Sequence, residues 1–218
     1  MAQITTAGKV SVGALTIASQ AQGDILYASS GSVITRLGAG TSGQFLQTAG
    51  AAANPVWADV MGTKLGDFTV AAATSISVTG LVPATRYRAF LNVVQNTTVS
   101  NIFAGFNSDT GANYRDAHGY AAAGGQSYGG GTGRTKISLH ILGNVVDLAT
   151  PFIATFDFST INADSKKVHL AGVSGHFATQ AYVSYFSGYY AGAADLSTMQ
   201  ITTSAGTFTG TISIYKLS

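Results

Sequence analysis

The chain has 218 residues, of which 46% are hydrophobic and only 9% charged, and its formal net charge is +2. That much apolar content excludes a disordered chain, and the near-neutral balance with no Lys/Arg block longer than Lys166-Lys167 gives no nucleic-acid footprint. There is no Cys, which excludes disulfides and thiolate metal sites, and no apolar run approaches the ~18 residues that read as a membrane span.

All nine acidic residues are Asp, so the chain contains no Glu, and it carries 27 Gly. Glu, Lys and Arg are favourable on exposed helix faces, so their scarcity argues against a helical protein. Abundant Val, Thr and Ser between glycines argues for strands and turns. A weakly charged chain of positive mean hydropathy, +0.26, must also put its apolar surface somewhere. Burial between copies is the simplest solution, which predicts a homo-oligomer.

In chain order, residues 1–22 (MAQITTAGKVSVGALTIASQAQ) show no sustained apolar period. The segment is too short for a core, and it lacks the charged and apolar regions of a secretion signal. Production in a cytoplasm is therefore expected. From Gly23 to Asp59 there are three short strand-like runs, Asp24–Tyr27, Val33–Leu37 and Gln44–Thr48, separated by small-residue breakers and closed by Pro55-Val56-Trp57. Each run has only a few large apolar residues. This unit cannot bury much area alone, so copies from neighbouring chains are its expected packing partners.

Beyond Met61 the strand-like runs lengthen. They include Thr74–Thr79, Arg86–Val94, Val99–Phe106, Lys136–Leu142, Phe152–Phe158, Lys167–Val173, Tyr182–Phe186, Thr198–Thr203 and Phe208–Tyr215. Phe152, Ala154, Phe156 and Phe158 alternate with Thr155 and Asp157, and Phe208, Ile212 and Ile214 with Thr209, Thr211 and Ser213. Many short strands with regular turn signals predict an all-β protein: an antiparallel β-sandwich of jelly-roll type over 61–218, preceded by an extended N-terminal segment, 1–60. Residues 107–134, rich in Gly, Ala and Tyr, are expected to form a long loop.

Several motifs match catalytic or binding patterns without their context. Gly38-x-Gly40-x-x-Gly43 follows a strand-like run, but no amphipathic helix follows it to meet a pyrophosphate. Gly125-Gln126-Ser127-Tyr128-Gly129 fits the nucleophile elbow, yet lies between Ala/Gly runs rather than between a strand and a helix. His118, His140, His169 and His176 lack zinc spacing; His140 and His169 are expected as satisfied sheet residues, and His118 with Asp116 as a pair in a solvated loop. No catalytic, cofactor or metal residue is therefore assigned. Asn96-Thr97-Thr98 fits a glycosylation acceptor but has no secretion signal beside it.

Tyr rings suit wet recognition surfaces. Tyr114, Tyr120 and Tyr128, with His118, and the Tyr185, Tyr189 and Tyr190 cluster are candidate contacts for sugar rings on a host surface. The competing reading places these rings at a subunit interface or sandwich end.

The opening unit also carries a family pattern. Gly23-Asp24-Ile25-Leu26-Tyr27, Thr35-Arg36-Leu37, Gly40-Thr41-Ser42-Gly43-Gln44-Phe45-Leu46 and Pro55-Val56-Trp57 resemble a segment of tailed-bacteriophage fibre and virion-decoration proteins. The leader Ile4 to Val10 is similar to such proteins too. Ile201 to Leu217 resembles the last strands of phage β-sandwich head domains, with Lys216 where the family often carries Gly.

The resemblance implies a non-enzymatic, trimeric virion protein assembled in the host bacterial cytoplasm. Residues 1–60 would attach to other virion proteins and join the chains, with Asp24, Ile25, Leu26, Tyr27, Arg36, Leu37, Phe45, Leu46 and Trp57 as the stem residues. The sandwich would project and contact the host surface. The alternatives are a head-decoration protein that stabilises the capsid without binding a receptor, and a polysaccharide depolymerase or esterase. No cofactor, nucleic acid or membrane is expected as a partner.

Overall fold

A computed structural model describes residues 19–31, 33–98, 100–122, 125–139, 148–161, 164–177 and 181–217. The expectations placed on residues 1–18 and on His140 lie outside these. The described chain contains no helix, and its sheets are antiparallel throughout. It divides into two compact units, Met1–Val60 and Met61–Ser218.

The first unit holds two separate hairpins. β1 (Ile25–Ser30) pairs with β2 (Val33–Leu37), and β3 (Gln44–Gln47) with β4 (Val56–Asp59). No described residue between 19 and 60 is buried. Polar contacts hold the hairpins instead. Asp24 accepts from the Ala21 amide at 2.6 Å and sits 3.4 Å from Arg36, which also donates to the Ser19 carbonyl.

The second unit begins with β5 (Thr63–Ala73), β6 (Ser75–Val78), β7 (Arg86–Gln95) and β8 (Ile102–Phe106). A long hairpin follows, β9 (Tyr114–Ala122) and β10 (Gly125–Arg134), then the short β11 (Ile137–Ser138). β12 (Pro151–Ile161), β13 (Asp164–Phe177) and β14 (Ala181–Ala191) form a meander, and β15 (Met199–Thr203) and β16 (Phe208–Leu217) complete the chain. One eight-stranded sheet has the order β10-β9-β14-β13-β12-β7-β16-β5. A four-stranded sheet has the order β11-β8-β15-β6.

Strand alternation explains how the two sheets share one core. On β12, Phe152, Ala154, Phe156 and Phe158 point inward and are nearly inaccessible, and on β16 Phe208, Ile212 and Ile214 do the same. Tyr87, Ala89, Leu91 and Val93 form the inward row of β7. From the smaller sheet come Ile76, Val78, Ala104, Phe106, Met199 and Ile201. Phe106 of that sheet lies 5.9 Å from the ring of Phe158, which stacks on Tyr87 at 5.1 Å. Buried Tyr hydroxyls are satisfied by backbone: that of Tyr114 takes the Phe106 amide at 2.9 Å and that of Tyr87 the Val82 amide at 2.8 Å. At Gly188 a Cβ would run into the Ile137 side chain at 2.5 Å, so a side chain there would force β11 away from β14.

Asn107 ties the entry of β15 to the end of β8. Its backbone has φ +53°, a conformation Asn tolerates, and its side-chain Oδ1 accepts from the amides of Ser197 and Thr198.

Two elements correct the sequence reading. Residues 107–134 are not one long loop, because β9 and β10 occupy most of them. The strand over Thr63–Ala73 had no counterpart among the expected runs.

Candidate functional site

Register decides which side chains meet on the outer face of the large sheet. Arg115 pairs with Tyr189, Tyr189 with His169, His169 with Ser159, and Ser159 with Arg86. These five residues from five strands form one row, roughly 19 Å long at the usual interstrand spacing. Two residues along, the parallel row runs Ala117, Ser187, Ala171, Asp157 and Arg88. The row after that includes Tyr185, Val173, Thr155 and Phe90.

Small side chains in the middle row therefore lie between larger ones on either side. The result is a trough of about 480 Å³ walled by Arg115, Tyr189, His169 and Arg86 and floored by Ala117, Ala171 and Ser187. A neighbouring cavity of about 260 Å³ shares Ala117 and Ser187 and adds Tyr128 and Tyr185.

Charge collects at both ends. Asp157 is held by Arg88 through two hydrogen bonds, at 2.7 and 2.9 Å, and lies 3.4 Å from Arg86. The Arg88 guanidinium keeps the Asp157 carboxyl below the usual carboxylate range, and Arg86 adds to this. At the other end Arg115 is exposed and makes no hydrogen bond or ion pair among the described residues. His169 is also exposed and meets Tyr189 edge to face at 5.3 Å. It lies within β13, as a sheet residue should, and its ring stands on the solvent-facing side.

The expected sugar-contact residues separate into two faces. Tyr128 and Tyr185 are exposed on the outer face with ring centroids 6.2 Å apart, and Tyr189 lines the trough. The Tyr185 phenol is pushed up, first by its hydrogen bond with Tyr128.

Tyr114 and Tyr190 are core residues instead, 4.7 Å apart and wholly buried, and burial pushes both phenols up. No ring face remains on either for a ligand. Tyr120 packs against Tyr182 at 5.6 Å on the inner face. His118 is buried there too, and burial pushes its imidazole down. Asp116 is likewise inside, accepting from the Ser138 amide at 3.2 Å and pairing with Arg134 at 3.5 Å. The carboxylate oxygen and the Arg134 Nε of that pair have no closer partner, so each compensates the other across a slightly long gap. The His118/Asp116 pair thus belongs to strand packing and not to a solvated loop.

In the first unit the glycine fingerprint has a packing role. The Trp57 indole donates to the Gly38 carbonyl at 2.6 Å, and a Cβ on Gly40 would sit 2.7 Å from the indole ring. Gly38 and Gly40 let the backbone cross the Trp face, and Gly43 turns at φ +91°. The Gln44 side chain closes this turn by accepting from the Thr41 amide at 2.9 Å. Leu26, Tyr27 and Leu37 are half-buried within the hairpins, whereas Phe45 and Leu46 are exposed.

Gly125–Gly129 lies within β10, with no helix to present a nucleophile. Among the described residues no group of three or more His or Asp side chains is placed to hold a metal. Arg86 and Arg115 were not singled out by sequence reasoning, and His169 was named only as a sheet residue. Their only signal is alternation within each strand, and only the register joins them. No protein-family model, curated protein or solved structure matches the chain.

Proposed function

We propose that the chain is a non-enzymatic structural protein of a tailed-bacteriophage particle. In this reading it is a homotrimeric fibre or spike attached to other virion proteins through residues 1–60, with the 61–218 unit contacting the host surface. The observation that carries it is that the described residues of the first unit form no core. Val33, Ile34, Phe45, Leu46 and Val56 are all exposed on hairpins in which no described residue is buried. Two-stranded hairpins with bare apolar faces are marginal in water and gain stability only against something else. Sister chains and a particle surface are the partners that the resemblance of this segment implies.

The strand orders support a jelly-roll head. Four strands of the large sheet run β5-β16-β7-β12 and face β6-β15-β8-β11. Along the chain these eight change sheet at every step except from β8 to β11, the sequence that two interlocked Greek keys produce. The hairpin β9–β10 and the strands β13 and β14 widen one side of the larger sheet.

Sedimentation of the full chain and of residues 61–218 tests the assignment together with electron microscopy of particles. A trimer that becomes a folded monomer on truncation, and a fibre lost from particles carrying only the truncated form, is the expected result. A full-length monomer that decorates no particle would overturn it. Loss of particle stability with adsorption intact would favour the head-decoration role instead.

A further inference from the structure

We propose that the trough across β9, β14, β13, β12 and β7 is a binding site for an acidic oligosaccharide, one whose sugars carry carboxylates. This deepens the host-contact reading above and rests on it only for the source of the ligand.

Three of the chain's five arginines, Arg86, Arg88 and Arg115, stand on this one face, although the chain as a whole is nearly neutral. Arg88 is committed to Asp157. Arg86 shares that same carboxylate at a longer distance, with its side chain about two-thirds exposed, and so keeps donors to spare. Arg115 has all of its donors to spare. Asp116 also borders the trough, and Arg134 neutralises it. The surplus is therefore positive and is delivered by guanidinium groups, whose planar forks match carboxylates two bonds at a time.

The rest of the lining suits sugars. Tyr189 and His169 offer rings along one wall, and Tyr185 and Tyr128 offer rings beyond the floor. Ser159 and Ser187 supply hydroxyls between them. Rings stack on the apolar faces of sugars, and hydroxyls satisfy their polar edges. The floor is made of interior strands whose backbone groups are already paired, so an extended peptide finds no sheet edge to join. The length of the row favours a chain of several residues over a lone anion.

The test is calorimetric titration of the full chain with oligogalacturonate, its carboxyl-reduced counterpart and a poly-Glu peptide. Saturable binding of oligogalacturonate that weakens with salt is expected, with no binding of the reduced sugar. R115A and R86A should each weaken it about tenfold or more, and K64A should not. Ala171→Trp should block binding by filling the floor, with every charge left in place. Both Arg115 and Ala171 are exposed, so unchanged far-UV circular dichroism is the control for folding. Absent binding, equal binding of the reduced sugar, equal binding of poly-Glu, or wild-type affinity in the arginine variants would each overturn the proposal. Such a failure leaves the particle assignment standing, because that is read from sedimentation and microscopy.

Discussion

The two units are made of the same residue types yet differ in how they use them. Between 19 and 60 apolar side chains line short hairpins and none of the described ones is buried. From Ile76 onward the Val, Ile and Phe side chains of the inward rows are almost wholly inaccessible. A second layer makes the difference, because β6 is as short as β3 and yet buries Ile76 and Val78. The four-residue β3 offers two positions per face and none of its residues is buried, whereas β12 offers an inward row of Phe152, Ala154, Phe156 and Phe158 with Phe106 of the second sheet packed against it. Hydrophobic content alone does not make a core.

The strongest attack on this contrast is in the second unit. Phe158→Ala removes the ring that joins Tyr87, Phe106 and Phe156, and should cost about 3–5 kcal/mol in urea unfolding followed by far-UV circular dichroism. A loss below about 1 kcal/mol would mean that the two sheets do not share a core there.

Next comes the sole Trp, Trp57, which lies in the first unit and so reports on it alone. Its emission should change at lower denaturant than the circular dichroism of the strands, with a midpoint that moves on dilution. A single concentration-independent transition seen by both probes would erase the distinction between the units.

Smaller effects come from titration in the second unit. Burial pushes the His118 imidazole below its ordinary value, with Asp116 and Arg134 as the charged groups near it. The unfolded chain binds the proton more readily, so this contribution is full above the ordinary histidine value, 6.5, and falls as pH drops below it. H118Q should flatten that part of the stability profile, and an unchanged slope would exclude His118 as its source. The smallest change is Arg88→Met. Asp157 is about a third exposed and Arg88 is open to water, so solvent screening keeps the loss small at neutral pH. Asp157 titrates below its ordinary value of 3.8, so what it contributes is present above that pH and disappears as pH falls through the lowered value.

Much of the second unit was legible in the sequence because hydropathy alternated. Phe152 to Phe158 and Phe208 to Ile214 point as their period predicts. The β9–β10 hairpin was not legible, because its alternation is one of size. Tyr114, Asp116, His118 and Tyr120 face inward, and Arg115, Ala117, Gly119 and Ala121 face outward. Two of the four inward residues, Asp116 and His118, carry strongly polar side chains, so no apolar stripe appears. The glycines of β10 signal a loop, yet they let neighbours approach: a Cβ at Gly129 would lie 2.6 Å from the His118 ring. The trough was hidden for another reason. Residues 86, 115, 159, 169 and 189 are distant in the chain, and only strand order makes them one row. The expectation of exposed tyrosines failed at Tyr114 and Tyr190, because a tyrosine whose hydroxyl finds partners, backbone for Tyr114 and the Asp109 and Asn107 side chains for Tyr190, is as good a core residue as a phenylalanine.

The large sheet extends on one side through β13, β14, β9 and β10, and three of these strands carry much of the trough. Its wall and floor residues point away from the shared core, on strands whose inward rows do the packing. Variation can therefore exchange Arg115, His169 or Tyr185 for other side chains while Leu170, Phe186 and Tyr190 keep their places. A lineage that needs a different preference can rewrite the outer row without refounding the fold.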